Sequence, residues 1–183
     1  MSEYQYYEFQ TIDRPLTNQQ IRELQGYSSR AEITSTTFTV EYNWGDFKGD
    51  PFRWMEKYFD AFVHVANWGT RWLMLRIPRQ LFDPEVVSEY CLDEYLSFAK
   101  KGENVILSFR MDNDEPEWTD GEGWLASLMP LRKDLIQGDH RCLYLAWLCS
   151  IQGGDFQDDV LEPPVPAGLG KLHERIAAHH RQQ

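Results

Sequence analysis

The run Arg71-Trp72-Leu73-Met74-Leu75-Arg76-Ile77 most constrains the fold of this chain. It is apolar almost throughout rather than alternating, the pattern of a strand covered on both faces, and it is expected to be the central strand of a sheet. Elements on either side supply the rest of such a sheet. Tyr4 to Ile12 reads as an opening strand that Asp13-Arg14-Pro15 ends. Thr17 caps a helix over Asn18 to Gln25, with Ile21 and Leu24 inward and Gly26 as its stop. Ala31 to Tyr42 is dominated by β-branched and aromatic residues and reads as a bent or broken strand.

Asp50-Pro51 is a cap followed by proline at the first helical position, where a missing N–H costs nothing. The helix it opens is expected to place Met55, Tyr58, Phe59, Phe62 and Ala66 on one face and Arg53, Lys57, Asp60 and His64 on the other. His64 would then form a surface ion pair with Asp60. Asn67-Trp68-Gly69-Thr70 ends this helix, and Trp68 and Trp72 read as core anchors. The order strand, helix, strand, helix, strand is compatible with a split βαβ arrangement.

Further on, Asp83-Pro84 starts a short helix over Glu85 to Tyr90. Glu94 to Lys100 and Asn104 to Met111 read as a β-hairpin. Trp124 to Met129 reads as a short strand, followed by helices over Leu131 to Gln137 and Asp139 to Gln152, broken at Gly138. The fold expected is α+β, with a mixed or antiparallel sheet and helices packed mainly on one face. The run Pro163-Pro164-Val165-Pro166 marks the best boundary, dividing a globular domain, 1–162, from a proline-led linker and terminal helix, 163–183.

Composition bears on partners. With 18 basic against 29 acidic side chains the formal charge is −11, which repels phosphate backbones and anionic membranes. Direct nucleic-acid and membrane binding are therefore not expected, and a protein with a basic face is the complementary partner. Cys91, Cys142 and Cys149 make neither an even disulfide set nor a CxxC pair, which favours a reducing compartment. Cys142 and Cys149, seven apart on one helix, are expected to stack as small core groups. The N-terminus has no leader pattern and no segment approaches the length of a membrane span, so a cytoplasmic location is expected.

Motifs for catalysis are missing their essential parts. His173-Glu174 begins like a zinc-peptidase helix, but the position four residues after the histidine is Ala177. Asp112, Asp114, Glu117, Asp120 and Glu122 have hard-oxygen chemistry but lack the glycine and glutamate positions of a calcium loop. Gly45 and Gly49 are not followed by Gly-Lys-Ser/Thr, and Asp46 and Asp50 would repel phosphate. No serine or cysteine elbow is present. No metal, cofactor or catalytic residue is assigned.

Recognition remains. Trp44 and Phe47 lie in a glycine-bent loop, and Trp118 lies among the carboxylates Asp114, Glu115, Glu117 and Asp120. These seven residues are the candidate partner-binding site, with aromatics supplying contact area and carboxylates supplying charge complementarity. The expected function is a non-enzymatic interaction module, an acidic adaptor or inhibitor of a protein such as a basic nucleic-acid-associated regulator. The alternatives are a hydrolase using clustered carboxylates and a structural N-terminal module of a larger protein.

Tyr6-Tyr7-Glu8-Phe9-Gln10, Asp13-Arg14-Pro15-Leu16, Trp44 to Pro51, Ala66 to Arg71, Gly121 to Leu128 and Leu161-Glu162-Pro163-Pro164 together resemble a group of longer, uncharacterised bacterial proteins. The resemblance implies that residues 1 to about 162 form an N-terminal domain. It implies no activity, cofactor or catalytic residue.

Overall fold

The computed structural model describes residues 3–92, 95–112, 119–153 and 160–169. Among them, seven strands form one sheet in the order β2-β3-β1-β4-β5-β7-β6. The strands are β1 (Gln5–Gln10), β2 (Glu32–Ile33), β3 (Thr37–Tyr42), β4 (Ala61–Ala66), β5 (Thr70–Pro78), β6 (Leu96–Lys101) and β7 (Asn104–Asp112). Every neighbouring pair is antiparallel. The helices are α1 (Asn18–Gln25), α2 (Pro51–Lys57), α3 (Glu85–Ser88), α4 (Trp124–Leu128), α5 (Pro130–Ile136) and α6 (Arg141–Gly153). The fold is α+β. Because β3 and β4 both run antiparallel to β1, they are parallel to each other and joined through α2. This is a split βαβ unit with β1 in the gap.

Strand alternation divides the interior into two cores. Phe9, Phe38, Phe62, Met74 and Ile106 point to one side, here the phenylalanine face, where α1 and α2 bring Leu24, Trp54 and Met55. Val63, Val65, Leu73, Leu75, Val105 and Leu107 point to the other, the aliphatic face, covered by α3 to α6 through Val87, Leu125, Leu135, Leu143 and Trp147. Helices therefore sit on both faces, with the greater number on the aliphatic one. The apolar run at residues 71–77 is covered on both sides as expected, but the middle position belongs to its neighbour β4.

The first helix matches its sequence pattern. Thr17 Oγ1 accepts from the Gln20 N–H at 3.2 Å while the Gln20 side chain accepts from the Thr17 N–H at 2.9 Å, a reciprocal cap. α2 opens as expected, the Asp50 carboxylate accepting from the Arg53 N–H at 3.1 Å. It does not continue to Ala66. It ends at Lys57, and residues 61–66 are a strand buried along its whole length. Two causes combine. Phe62-Val63-His64-Val65 favours pleated backbone and pairs on both sides, with β1 and β5. Arg76 Nη1 also donates to the carbonyls of Met55 and Glu56, at 3.0 Å each, closing the helix end.

Asp60 and His64 consequently leave the polar helix surface expected for them. Asp60 is fully buried and accepts from Arg76 Nε at 3.0 Å and Nη2 at 2.7 Å, and from the N–H groups of Ile12 and Asp13. Arg132 extends the network, donating to the Arg76 carbonyl and to Asp13. A buried ion pair of this kind is tolerable because its lone pairs and protons are used. His64 stacks on Tyr7 with ring centroids 4.1 Å apart.

Residues 124–128 are also a helix, α4, rather than the expected strand. Gly123, at φ +79°, turns the chain, and Leu125 enters the aliphatic core. The hairpin β6–β7 and the break at Gly138, at φ +82°, lie where the sequence places them. Cys142 is half-buried against the core, but Cys149 is exposed, so the two do not form a buried stack. Residues 160–169 lie against the domain: Pro163 is buried and the Tyr90 hydroxyl donates to the Pro164 carbonyl at 3.0 Å. The terminal helix expected beyond Leu169 lies outside the described residues.

Candidate functional site

On the aliphatic side Tyr4, just before β1, and Tyr6 of β1 are buried in the same core as Leu125 of α4, and beyond them β1, β3 and β2 carry polar residues. Register places Tyr6 opposite Glu41 and Glu8 opposite Thr39. With Arg30, Glu32 and Glu122 they line a cleft of about 530 Å3. The segment before α4 forms its other wall. Gly121 lies so close to Tyr6 that a Cβ there would meet the ring at 2.3 Å, and this contact lets Glu122 come over the sheet.

Hydrogen bonds order these groups. The Tyr6 hydroxyl donates to Glu8 at 2.9 Å. Tyr4 Oη is 3.3 Å from Glu41 and 3.4 Å from Asp120, and Asp120 also accepts from the Glu122 N–H at 2.9 Å. Burial raises the Glu8 carboxyl above the ordinary range; the Tyr6 hydrogen bond opposes that shift and the nearby Glu122 charge adds to it. The Tyr4 phenol is pushed up to about 12 by burial, with Glu41 and Asp120 adding to the shift. The cleft is thus tyrosines and carboxylates with one guanidinium, and its chemistry suits a cation.

The candidate residues fall in different places. Asp114, Glu115, Glu117 and Trp118 lie outside the described residues. Asp120 stands beside the cleft through Tyr4. Trp44 is 68% exposed, and Arg30 stacks on it with the guanidinium 4.0 Å from the ring centroid. Since Arg30 also lines the cleft, Trp44 stands at its side. Phe47 turns inward. It stacks on Tyr7 at 4.6 Å and meets Trp54 edge-on at 5.0 Å. Gly49 permits this, because a Cβ there would come within 2.7 Å of both the Phe47 and Trp54 rings. Trp68 is 42% exposed, whereas Trp72 packs against the phenylalanine core.

Sequence reasoning did not single out Arg30, Glu32 or Glu41; it met Glu8 only within a segment that carries the resemblance and weighed Glu122 only as a calcium ligand. The available signal was alternation along β1 and β3, which puts Tyr4, Tyr6 and Glu8 on one side with Thr39 and Glu41. Among the described residues no group of His, Cys, Asp or Glu is arranged to hold a metal ion, and no helix is long and apolar enough to cross a membrane. No protein-family model, curated protein or solved structure matches the chain.

Proposed function

We propose that the protein is a non-enzymatic interaction module, a cytoplasmic acidic adaptor or inhibitor that receives a basic segment of a protein partner, such as the basic face of a nucleic-acid-associated regulator. One observation carries this reading: the cleft at the β1–β3–β2 end of the sheet, lined by Glu8, Glu32, Glu41 and Glu122 with Tyr6. Lysine or arginine side chains entering it would meet carboxylates on several sides, and Trp44 beside it offers an aromatic face. The N-terminal-domain relation to longer bacterial proteins is part of the same proposal and rests on the sequence segments that resemble them.

The test uses a lysine- and arginine-rich peptide as probe. The combined substitution Glu32→Gln, Glu41→Gln and Glu122→Gln should slow its association about tenfold or more at low salt and flatten the salt dependence, with the melting temperature preserved. Unchanged association would remove the cleft from the reading. A second reading, a hydrolase using clustered carboxylates, draws on the Glu8 carboxyl, raised above its ordinary range by burial, in a cleft it shares with Glu122. Glu8→Gln separates the two. It should leave peptide binding within about threefold, whereas it would abolish a carboxylate-based hydrolysis.

A further inference from the structure

Strand register brings two exposed tryptophans to the same end of the sheet. Gln5, the first residue of β1, pairs with Tyr42 at the end of β3 on one side and with Ala66 at the end of β4 on the other. Two residues beyond each of those ends stands a tryptophan, Trp44 in the loop after β3 and Trp68 in the turn between β4 and β5. Trp44 is 68% exposed and Trp68 is 42% exposed. Apolar residues scattered singly over a surface need no explanation, but indoles gathered at one place do.

The start of β1 ties down both loops. The Gln5 side-chain amide donates to the Gly45 carbonyl at 3.2 Å, and Gly45, at φ +83°, bends the chain beside Trp44. The Tyr4 N–H donates to Asn67 Oδ1 and the Asn67 N–H to the Tyr4 carbonyl, both at 3.1 Å. Trp68 Nε1 donates to Thr70 Oγ1 at 3.0 Å, and that hydroxyl donates to Asp112 at 2.6 Å, so the indole is held by its polar edge. Exposed aromatic side chains already fixed in this way lose little conformational freedom on binding, which is the condition for an aromatic anchor.

The molecule itself shows what one of these rings accepts. The Arg30 guanidinium lies 4.0 Å from the Trp44 ring centroid, and Trp44 keeps its high exposure with that guanidinium in place, so the rest of the ring is open. Arg30 also lines the acidic cleft, which makes the cleft continuous with the Trp44 loop. In the sheet order β3 and β4 are separated by β1 alone, so the two loops leave the sheet about 10 Å apart, a distance that about three extended residues cover. A planar, weakly hydrated guanidinium suits an indole face better than the compact ammonium of lysine does.

We propose that the sheet end bearing Trp44 and Trp68 is the second part of the surface that receives the basic segment, and that it selects arginine. This inference rests on the cleft reading given above. The segment places basic side chains in the cleft and runs on across the start of β1, stacking one guanidinium on the open part of Trp44 and another on Trp68.

The test follows the full chain binding labelled octa-arginine and, separately, octa-lysine at low salt, by anisotropy and stopped flow, with urea unfolding of every variant. Octa-arginine should bind about tenfold more tightly than octa-lysine, and the indole N–H resonances of Trp44 and Trp68 should shift when it is added. Trp68→Leu should weaken octa-arginine about tenfold, mostly through faster dissociation, and narrow its advantage over octa-lysine. Trp68→Phe, which keeps an aromatic face, should retain part of that advantage, and Trp44→Leu should act as Trp68→Leu does. An unchanged urea midpoint separates a lost contact from a lost fold, and the resonance shifts test the contact in the unaltered chain. If Glu32→Gln, Glu41→Gln and Glu122→Gln together abolish binding while Trp68→Leu leaves it unchanged, the cleft reading stands and this inference falls. Equal binding of the two peptides with unmoved indole resonances also overturns it. So does a concentration-dependent dimer, seen by sedimentation, that Trp68→Leu dissolves, because the tryptophans would then belong to an interface with a second copy of the chain.

Discussion

The two faces of the sheet solve different problems with the same strands. On the phenylalanine face, Phe9 touches Phe38, Phe47, Trp54, Phe59 and Phe62, with ring centroids 4.5 to 5.9 Å apart, and the buried charges Asp60 and Arg76 use their hydrogen-bonding capacity on each other and on backbone. On the aliphatic face the helices cover β4, β5 and β7 closely but leave an open apolar groove among them and a polar cleft beside them. One face has a core of interlocking rings, and its opening of about 640 Å3 lies outside that core, along α2 between Tyr27 and Tyr58. The other keeps its openings against the strands themselves, and openings are where binding is possible.

The largest effect should come from breaking the closed side. Phe9→Ala removes the hub of the ring cluster and should cost about 3–5 kcal/mol in denaturant unfolding. Leu128→Ala, at the groove wall, removes a half-buried side chain that already borders open space and should cost about 1–2 kcal/mol. Equal costs would mean that the two faces are packed alike.

The next effect is one of pH. Burial, with Arg110 adding to it, lowers the His64 imidazole to about 4 from its ordinary 6.5, and among the described residues its Nε2 has no hydrogen-bond partner. A depressed histidine makes the unfolded chain bind the proton first. Stability is therefore full above pH 6.5 and falls as pH drops toward 4, by about 3 kcal/mol at most. His64→Phe, which keeps the stack on Tyr7, should flatten this window in urea midpoints measured across it. Glu8, on the other face, has the opposite sign. Its raised carboxyl favours the folded state as pH falls, so Glu8→Gln should deepen the loss on the acid side while raising stability at neutral pH.

Smaller still is the effect of cutting after Glu162, which removes the buried Pro163 and the Tyr90–Pro164 hydrogen bond. Cooperative unfolding should survive, with a loss of about 1–2 kcal/mol and a melting temperature lower by several degrees. The smallest effect belongs to the open side. Glu41→Gln and Glu122→Gln should each change stability by less than about 0.5 kcal/mol. A larger loss at either position would mean that the cleft helps to hold the fold.

What could be read from sequence was local, and what could not was set by partners distant along the chain. Thr17, Asp50 and Pro51 announce helix starts because their caps are complete within a turn. The end of α2 depends on Arg76, a strand residue reaching back to the carbonyls of Met55 and Glu56, so nothing within the helix itself announces it. The spacing of Tyr58, Phe59, Phe62 and Ala66 then imitated a helical stripe across what is a fully buried strand. Fully buried strands lack alternation, which leaves short apolar stretches ambiguous. The cleft was hidden for a related reason. Glu8, Glu41 and Glu122 belong to separate segments, and strand register and the Gly121–Tyr6 contact bring them together.

The place of β1 in the sheet order has a consequence for synthesis on the ribosome. This strand is made early, yet both its neighbours, β3 and β4, lie downstream, and the second of them ends at Ala66. While those residues are still being added or remain inside the exit tunnel, Tyr7 and Phe9 cannot be enclosed, because Phe38, Trp54 and Phe62 have not yet reached them. At about 5–20 residues per second this interval lasts several seconds. The nascent chain therefore exposes its most aromatic strand before the fold can close over it, and factors that shield hydrophobic segments at the ribosome would have their strongest claim on this protein during that interval.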